Sequence, residues 1–230
     1  QEDFTYTYDQ YGRMSGQTIN RTNPDGSHET VVETYTYDQF GRIAQENIKI
    51  TKPDGSIFHD KVDYTYDQYG RVSKTNTQHT LPSGKVTYDE TTYTYDQYGR
   101  VQISETKHTG SDGKTTNEKV TYEYDQYGRV AKSTTEYTNT KGEKTTSVMS
   151  GISYDQYGRM SGYTSTSTDK DGKTSTSVVT GITYDAYGRQ TGYHSKDTDK
   201  DGKTTESNIS MGYDQYGRVV SQVISGENTF

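Results

Sequence analysis

A carboxylate and a guanidinium four residues apart, Asp-x-x-x-Arg, recur eight times in this 230-residue chain, with the aspartates at Asp9, Asp38, Asp67, Asp96, Asp125, Asp155, Asp185 and Asp214. Such a pair can hold a charged ligand. It can also close a turn, with Asp bonding its own backbone two residues on while Arg packs over a ring or pairs with a carboxylate. Repetition at every turn favours the structural role. The turns so assigned are Asp9, Gly12 and Arg13; Asp38, Gly41 and Arg42; Asp67, Gly70 and Arg71; Asp96, Gly99 and Arg100; Asp125, Gly128 and Arg129; and their later counterparts. Two Asp-Lys-Asp-Gly stretches, containing Asp169 and Asp171, and Asp199 and Asp201, resemble the opening of a calcium loop. The closing bidentate Glu is missing at its usual spacing, so they read as plain turns, with a weak calcium site as the alternative. Of five histidines, only His79 and His108 share a repeat position. With one strand between them, they would lie about 10 Å apart, too far for one metal ion, and are expected at the surface. No nucleophile, base and orienting group recur together, and no cofactor motif appears, so neither an enzyme nor a cofactor is expected.

The eight aspartates follow one another at 29, 29, 29, 29, 30, 30 and 29 residues, so one supersecondary unit is copied along residues 1–230 as a single array. A second turn glycine follows each of the first seven aspartates by seventeen residues, from Gly26 and Gly55 to Gly172 and Gly202. Between the two turn signals lie alternating runs rich in Thr, Tyr and Val, which suit strands and not helices. Each unit is therefore a β-hairpin, and the chain an all-β antiparallel meander of about sixteen strands, elongated or spirally coiled, with essentially no helix. The two longer units carry Gly151 and Gly181 just before Tyr-Asp, where an inserted residue is taken up as a bulge.

Alternation places Tyr6 with Tyr8, Tyr35 with Tyr37, Tyr64 with Tyr66, Tyr93 with Tyr95 and Tyr122 with Tyr124 on one face, an aromatic ladder repeated at every second strand. Only 26% of the chain is hydrophobic, it contains 24 tyrosines, and it has no cysteine, so repeat stacking and not a thick core or disulfides must stabilise it. The net charge of -7 and the scattered Lys and Arg speak against nucleic acid, and no apolar run is long enough to insert in a membrane. Gln1 is compatible with the first residue left after removal of a signal peptide.

The Tyr-Asp-x-x-Gly-Arg unit followed by an apolar residue resembles the YD repeat of the RHS family of bacterial wall-associated and toxin-complex proteins and teneurins. The resemblance covers all eight units. It implies long antiparallel strands wound into a spiral shell and a location outside the cell or at its surface. Where the family usually has Leu after Arg, this chain has Met14, Ile43, Val72, Val101, Val130, Met160, Gln190 and Val219.

The array begins and ends on strands of the same repeat, one holding Phe4, Tyr6 and Tyr8, the other Val219, Val223 and Ile224. An uncapped edge is a template for another strand, so the expected partner is a second copy added head to tail. Sixteen strands at about 4.8 Å give an axial repeat on the order of 75 Å if they stack straight. The function expected is a structural subunit of an extracellular bacterial fibre. The alternative is a stalk or adhesive segment of a larger surface or secreted protein. A lower alternative is glycan or ice binding by Thr-rich runs such as Thr164–Thr168. Glycans, including O-linked sugars on Ser and Thr, are further candidate partners.

Overall fold

The computed structural model describes residues 1–229, with side chains through Gly226. These residues form two compact units, Gln1–Asn117 and Glu118–Phe230. The first holds β1 (Glu2–Tyr8), β2 (Met14–Thr22), β3 (His28–Tyr37), β4 (Ile43–Thr51), β5 (Ile57–Tyr66), β6 (Val72–Thr80), β7 (Val86–Tyr95) and β8 (Val101–Thr109). The boundary falls within β9 (Thr115–Tyr124). The second unit continues with β10 (Val130–Thr138), β11 (Lys144–Tyr154), β12 (Met160–Thr168), β13 (Thr174–Tyr184), β14 (Gln190–Thr198), β15 (Thr204–Tyr213) and β16 (Val219–Thr229). The strands follow one another in sheet order from β1 to β16, so the sheet is an open meander, and no helix occurs among the described residues.

Both turns of each hairpin use the same geometry. At the first, Asp9 N–H bonds Arg13 O and Gly12 N–H bonds Asp9 O; at the second, Asn23 and Ser27, and Gly26 and Asn23, repeat the pattern. This is a three-residue hairpin loop, a type I turn followed by one residue in the left-handed region. Gly12 takes that position at φ +78°, where a Cβ would be strained.

A residue is bulged out beside seven of the first turns. Thr7 faces Gly16 but Tyr8 faces Met14, leaving Ser15 unpaired, and the same shift occurs before Tyr37, Tyr66, Tyr95, Tyr154, Tyr184 and Tyr213. The extra residue of the two longer repeats is accommodated at Gly151 (φ +60°) and Gly181 (φ +63°), between the paired positions Ser150 and Ser153, and Thr180 and Thr183.

A single sheet buries little. Among the described residues, Ile19, Val31, Val179 and Ile209 are the buried apolar side chains. In the first unit they belong to a cross-strand row, in which Phe4 faces Ile19, Ile19 faces Val31, Val31 faces Ile50 and Ile50 faces Phe58. Direct cross-strand neighbours of this kind contribute about 0.2–1 kcal/mol each. Backbone ladders and the contacts near the first turns must supply the rest.

Some strands approach so closely that only glycine fits. A Cβ at Gly192 would lie 2.7 Å from the carbonyl oxygen of Ile209. Backbone cannot swing aside as a side chain can, so Gly192→Ala should destabilise the second unit by about 1–3 kcal/mol. Denaturant unfolding measures it, with Gly202→Ser, at a turn with open space around its Cβ position, separating backbone strain from steric overlap.

Candidate functional site: the turn clamp and the bridge between repeats

The first turn is closed by its own side chains. Asp9 Oδ1 accepts the N–H groups of Tyr11 (2.8 Å) and Arg13 (2.9 Å), and Oδ2 accepts Arg13 Nε at 2.7 Å, with Nη2 also at 2.7 Å. The Nε contact recurs at all eight turns at 2.6–2.8 Å. Partial burial works against the charge on Asp9, but the two backbone N–H groups and the guanidinium outweigh it and hold the carboxyl below its ordinary range. The other seven turn aspartates are lowered in the same way.

The clamped guanidinium then joins one repeat to the next. Arg13 lies over Tyr11 of its own turn (5.0 Å to the ring centroid) and over Tyr37 of the following repeat (4.3 Å). Tyr37 in turn donates its hydroxyl to Met14 O at 2.5 Å. The hydroxyl bond is repeated by Tyr66, Tyr95, Tyr154, Tyr184 and Tyr213 to Ile43, Val72, Val130, Met160 and Gln190 at 2.6–2.7 Å. Their rings lie 4.2–4.6 Å from the preceding arginine. The β2–β3 register, in which Gly16 faces Thr34, brings Tyr37 level with Arg13 when continued toward the turn.

The sequence offered two roles for the arginine, ring packing or carboxylate pairing, and the geometry uses both at once. With one carboxylate and two rings around it, the guanidinium is engaged in structure. Tyr37, Tyr66 and Tyr95, the second tyrosines of their pairs, rest on the preceding arginine. The first member lies along its strand: Tyr6 stacks with Phe4, and Tyr122 is tilted against Tyr124, both at 6.4 Å between centroids. Tyr35 donates to Glu33 at 2.6 Å and Tyr64 to Glu46 at 3.0 Å. Burial, then the Glu46 hydrogen bond and charge, pushes the Tyr64 phenol up to about 12.

At the two outer strands the bridge is half-built. Tyr8 is 63% exposed, and the Arg218 side chain is 75% exposed, against 29–35% for its seven counterparts. Arg218 keeps its own-turn partners, Asp214 and the Tyr216 ring. Phe4 and Tyr6 on β1, and Val219, Val223 and Ile224 on β16, are also exposed.

The aspartates considered for calcium cap the second turns. Asp169 Oδ1 accepts the N–H groups of Asp171 and Lys173 while Oδ2 pairs with Lys200 at 2.7 Å; Asp199 Oδ1 accepts those of Asp201 and Lys203. Asp171 pairs with Lys170, and Asp201 lies 3.8 Å from Lys173.

His79 and His108 differ from the expectation of surface residues: both are half-buried and share a carboxylate. Asp60 bonds His79 Nδ1 at 2.8 Å, His79 Nε2 reaches Asp89 at 3.1 Å, and Asp89 also holds His108 Nδ1 at 2.6 Å. The reason is register, since Asp60 faces His79 and Asp89 faces His108 on adjoining strand pairs. Burial lowers the His79 pKa, but hydrogen bonds to Asp60 and Asp89 and their charges outweigh it, and the net direction is up. Stability from this ladder is therefore fully present below the unfolded histidine value of about 6.5 and is lost as pH rises through the higher folded value. The melting-temperature advantage of the native chain over His79→Gln should shrink between pH 6 and pH 8.5. An advantage constant across that range would show that the imidazole charge contributes nothing.

Sequence reading left one repeated feature without a role. The third residue of each first turn is aromatic: Tyr11, Phe40, Tyr69 and Tyr98 in the first unit, Tyr127, Tyr157, Tyr187 and Tyr216 in the second, each 71–85% exposed. The available signal was an aromatic at a turn apex, where polar residues serve equally well.

No family model matches the chain, and no curated protein matches it at a significant level. Among solved structures it is similar to a chain of a mutant Photorhabdus luminescens Tc holotoxin pore, at 12% identity and a TM-score of 0.22, over 96% of this chain and 15% of that one.

Proposed function

We propose that this chain is a non-enzymatic structural array of the RHS/YD-repeat kind, a building block of an extracellular bacterial fibre that extends by head-to-tail strand addition. The observation that carries this reading is the half-built bridge. Within each unit three successive junctions are fastened by an arginine under a tyrosine and by a tyrosine hydroxyl on a carbonyl. On β16, Arg218 and the Val219 carbonyl present one half, and on β1, Tyr8 presents the other. A strand edge that also carries a specific side-chain socket favours another strand of the same repeat over an arbitrary one. The contact is heterologous, so it propagates without closing.

The same socket accepts a further repeat on a longer chain, which is the stalk reading. The two are separated by sedimentation and electron microscopy of the purified chain at micromolar concentration. Filaments growing with concentration support the fibre; monomers at every concentration leave the stalk. The commitment of the arginines to turn carboxylates, together with the net charge of -7, supports a partner other than nucleic acid.

A further inference from the structure

Among the exposed rings at the first turns, two pairs are set apart by an arginine that reaches from one turn to the next. The Arg71 guanidinium lies 4.9 Å from the ring centroid of Tyr69 on its own turn, and its Nη1 would be 3.6 Å from a Cβ at Gly99 on the following one. Tyr98 precedes that glycine. In the second unit Arg189 stands in the same way between the Tyr187 ring, at 5.0 Å, and Gly217, at 3.5 Å, with Tyr216 before the glycine. Each of these arginines thus has a phenol-bearing turn on either side. Arg13 and Arg42 make the same reach, to Gly41 and Gly70, but there Phe40 takes one of the two aromatic places. At Gly158 and Gly188 a Cβ would meet nothing within 4 Å, and no arginine makes that reach.

The opposite rim repeats the turn geometry with no aromatic at any apex, so the turn itself does not call for one. The chain has 24 tyrosines and neither cysteine nor tryptophan, which leaves tyrosine as the side chain a one-electron oxidant meets first. Tyrosines of the bridge are tied down, their hydroxyls on backbone carbonyls, whereas the apex tyrosines are 72–85% exposed. An exposed ring leaves its guanidinium at a cost of about 0.5–1 kcal/mol, so it is free to swing. Its neighbour stands two strands away within the same unit, a step of about 9.6 Å. Two tyrosine side chains turned toward each other span that step.

We infer that Tyr69 with Tyr98, and Tyr187 with Tyr216, are sites of oxidative coupling, each pair joining as a dityrosine that staples one repeat to the next. The oxidant is a haem peroxidase using hydrogen peroxide. Each phenol gives up one hydrogen atom, and the peroxide takes the two electrons and two protons and leaves as two waters. The two phenoxyl radicals then form a bond between ring carbons ortho to oxygen. Hydrogens displaced from those carbons return to the phenol oxygens, so the product keeps both hydroxyls. Tyr11 has no phenol at the neighbouring turn of its own chain, since Phe40 stands there. In a head-to-tail fibre it would face Tyr216 of the preceding copy across Arg218, and coupling would lock the junction; that link alone rests on the fibre reading.

The test treats the full chain, as an equimolar mixture of isotopically labelled and unlabelled copies at micromolar concentration, with a haem peroxidase and limiting hydrogen peroxide. Dityrosine fluorescence gives the yield, and mass spectrometry of the peptides gives the partners, with mixed-isotope links marking those between copies. Tyr69–Tyr98 and Tyr187–Tyr216 should be the leading links within a chain. Combining Tyr98→Phe with Tyr216→Phe, conservative changes on exposed turns, should lower internal dityrosine roughly tenfold, because rings held at adjoining turns meet at an effective concentration on the order of millimolar. Phe40→Tyr should add a link at its own position, to Tyr11 or Tyr69. The inference is overturned by a lack of internal dityrosine, by internal links at Tyr127 and Tyr157 as abundant as the two named, or by an undiminished yield from the double variant. A mixed-isotope link between Tyr11 and Tyr216 bears on the fibre: internal links without it support the coupling and count against head-to-tail addition.

Discussion

Arg218→Glu is expected to leave the chain folded and to abolish the proposed end-to-end association. Inside the array each equivalent guanidinium lies 4.2–4.6 Å from the ring centroid of the following repeat wherever that contact is described. A carboxylate there would face the negative face of the incoming ring and sit beside Asp214, exchanging attraction for repulsion. The turn itself keeps the Asp214 bonds to the N–H groups of Tyr216 and residue 218, which depend on backbone alone. Tyr8→Ala should block association from the other side, by removing the ring that covers Arg218 and the hydroxyl that reaches Val219. Arg218→Glu copies retain a good β1 edge and Tyr8→Ala copies a good β16 edge. Each variant alone should therefore sediment as a monomer, whereas an equimolar mixture should give dimers and nothing longer. Filaments from either variant alone would show that association does not use this contact.

The second large effect is on stability. Tyr95→Ala should destabilise the first unit by about 2–4 kcal/mol, because it removes a half-buried ring, its arginine contact and its hydroxyl bond together. Tyr95→Phe keeps the ring over Arg71 and loses only the 2.6 Å bond to Val72 O, at a cost of about 0.5–1.5 kcal/mol. Denaturant unfolding of the two variants divides the bridge into its parts. Equal losses would place the whole effect in the hydroxyl, and no loss from either would mean that backbone ladders alone hold the repeats together. In an array of nearest-neighbour units, weakening one bridge weakens the joint it spans and not a distant core.

Strands and turns were legible because two local signals agree throughout, the alternation of Thr with Tyr and a glycine at each position requiring positive φ. The insertions at Gly151 and Gly181 were legible as a change in arm length. The bulge beside the first turns was not, since a residue bulged in repeat after repeat leaves the repeat length constant. The placing of Tyr37 over Arg13 follows from the β2–β3 register, whereas alternation alone suggests tyrosine stacked on tyrosine. The Asp60, His79, Asp89 and His108 ladder was hidden for a related reason. A spacing of about 10 Å between imidazoles argues against a shared metal but suits a carboxylate standing between them, and only strand register reveals that carboxylate. The division into two compact units has no counterpart in the period.

The central claim, that β16 receives β1 of another copy in the register used inside the array, is tested most directly by crosslinking. The chain has no cysteine, so every thiol can be placed. Thr18 faces Val32 between β2 and β3, and the positions equivalent by repeat are Val223 and Asp3. A chain carrying both Val223→Cys and Asp3→Cys should form a ladder of intermolecular disulfides under mild oxidation, because directly opposed strand residues lie within disulfide reach. Pairing Asp3→Cys with Val219→Cys, four residues out of register, should give none. Equal crosslinking of the two pairs, or monomers throughout, would contradict the account.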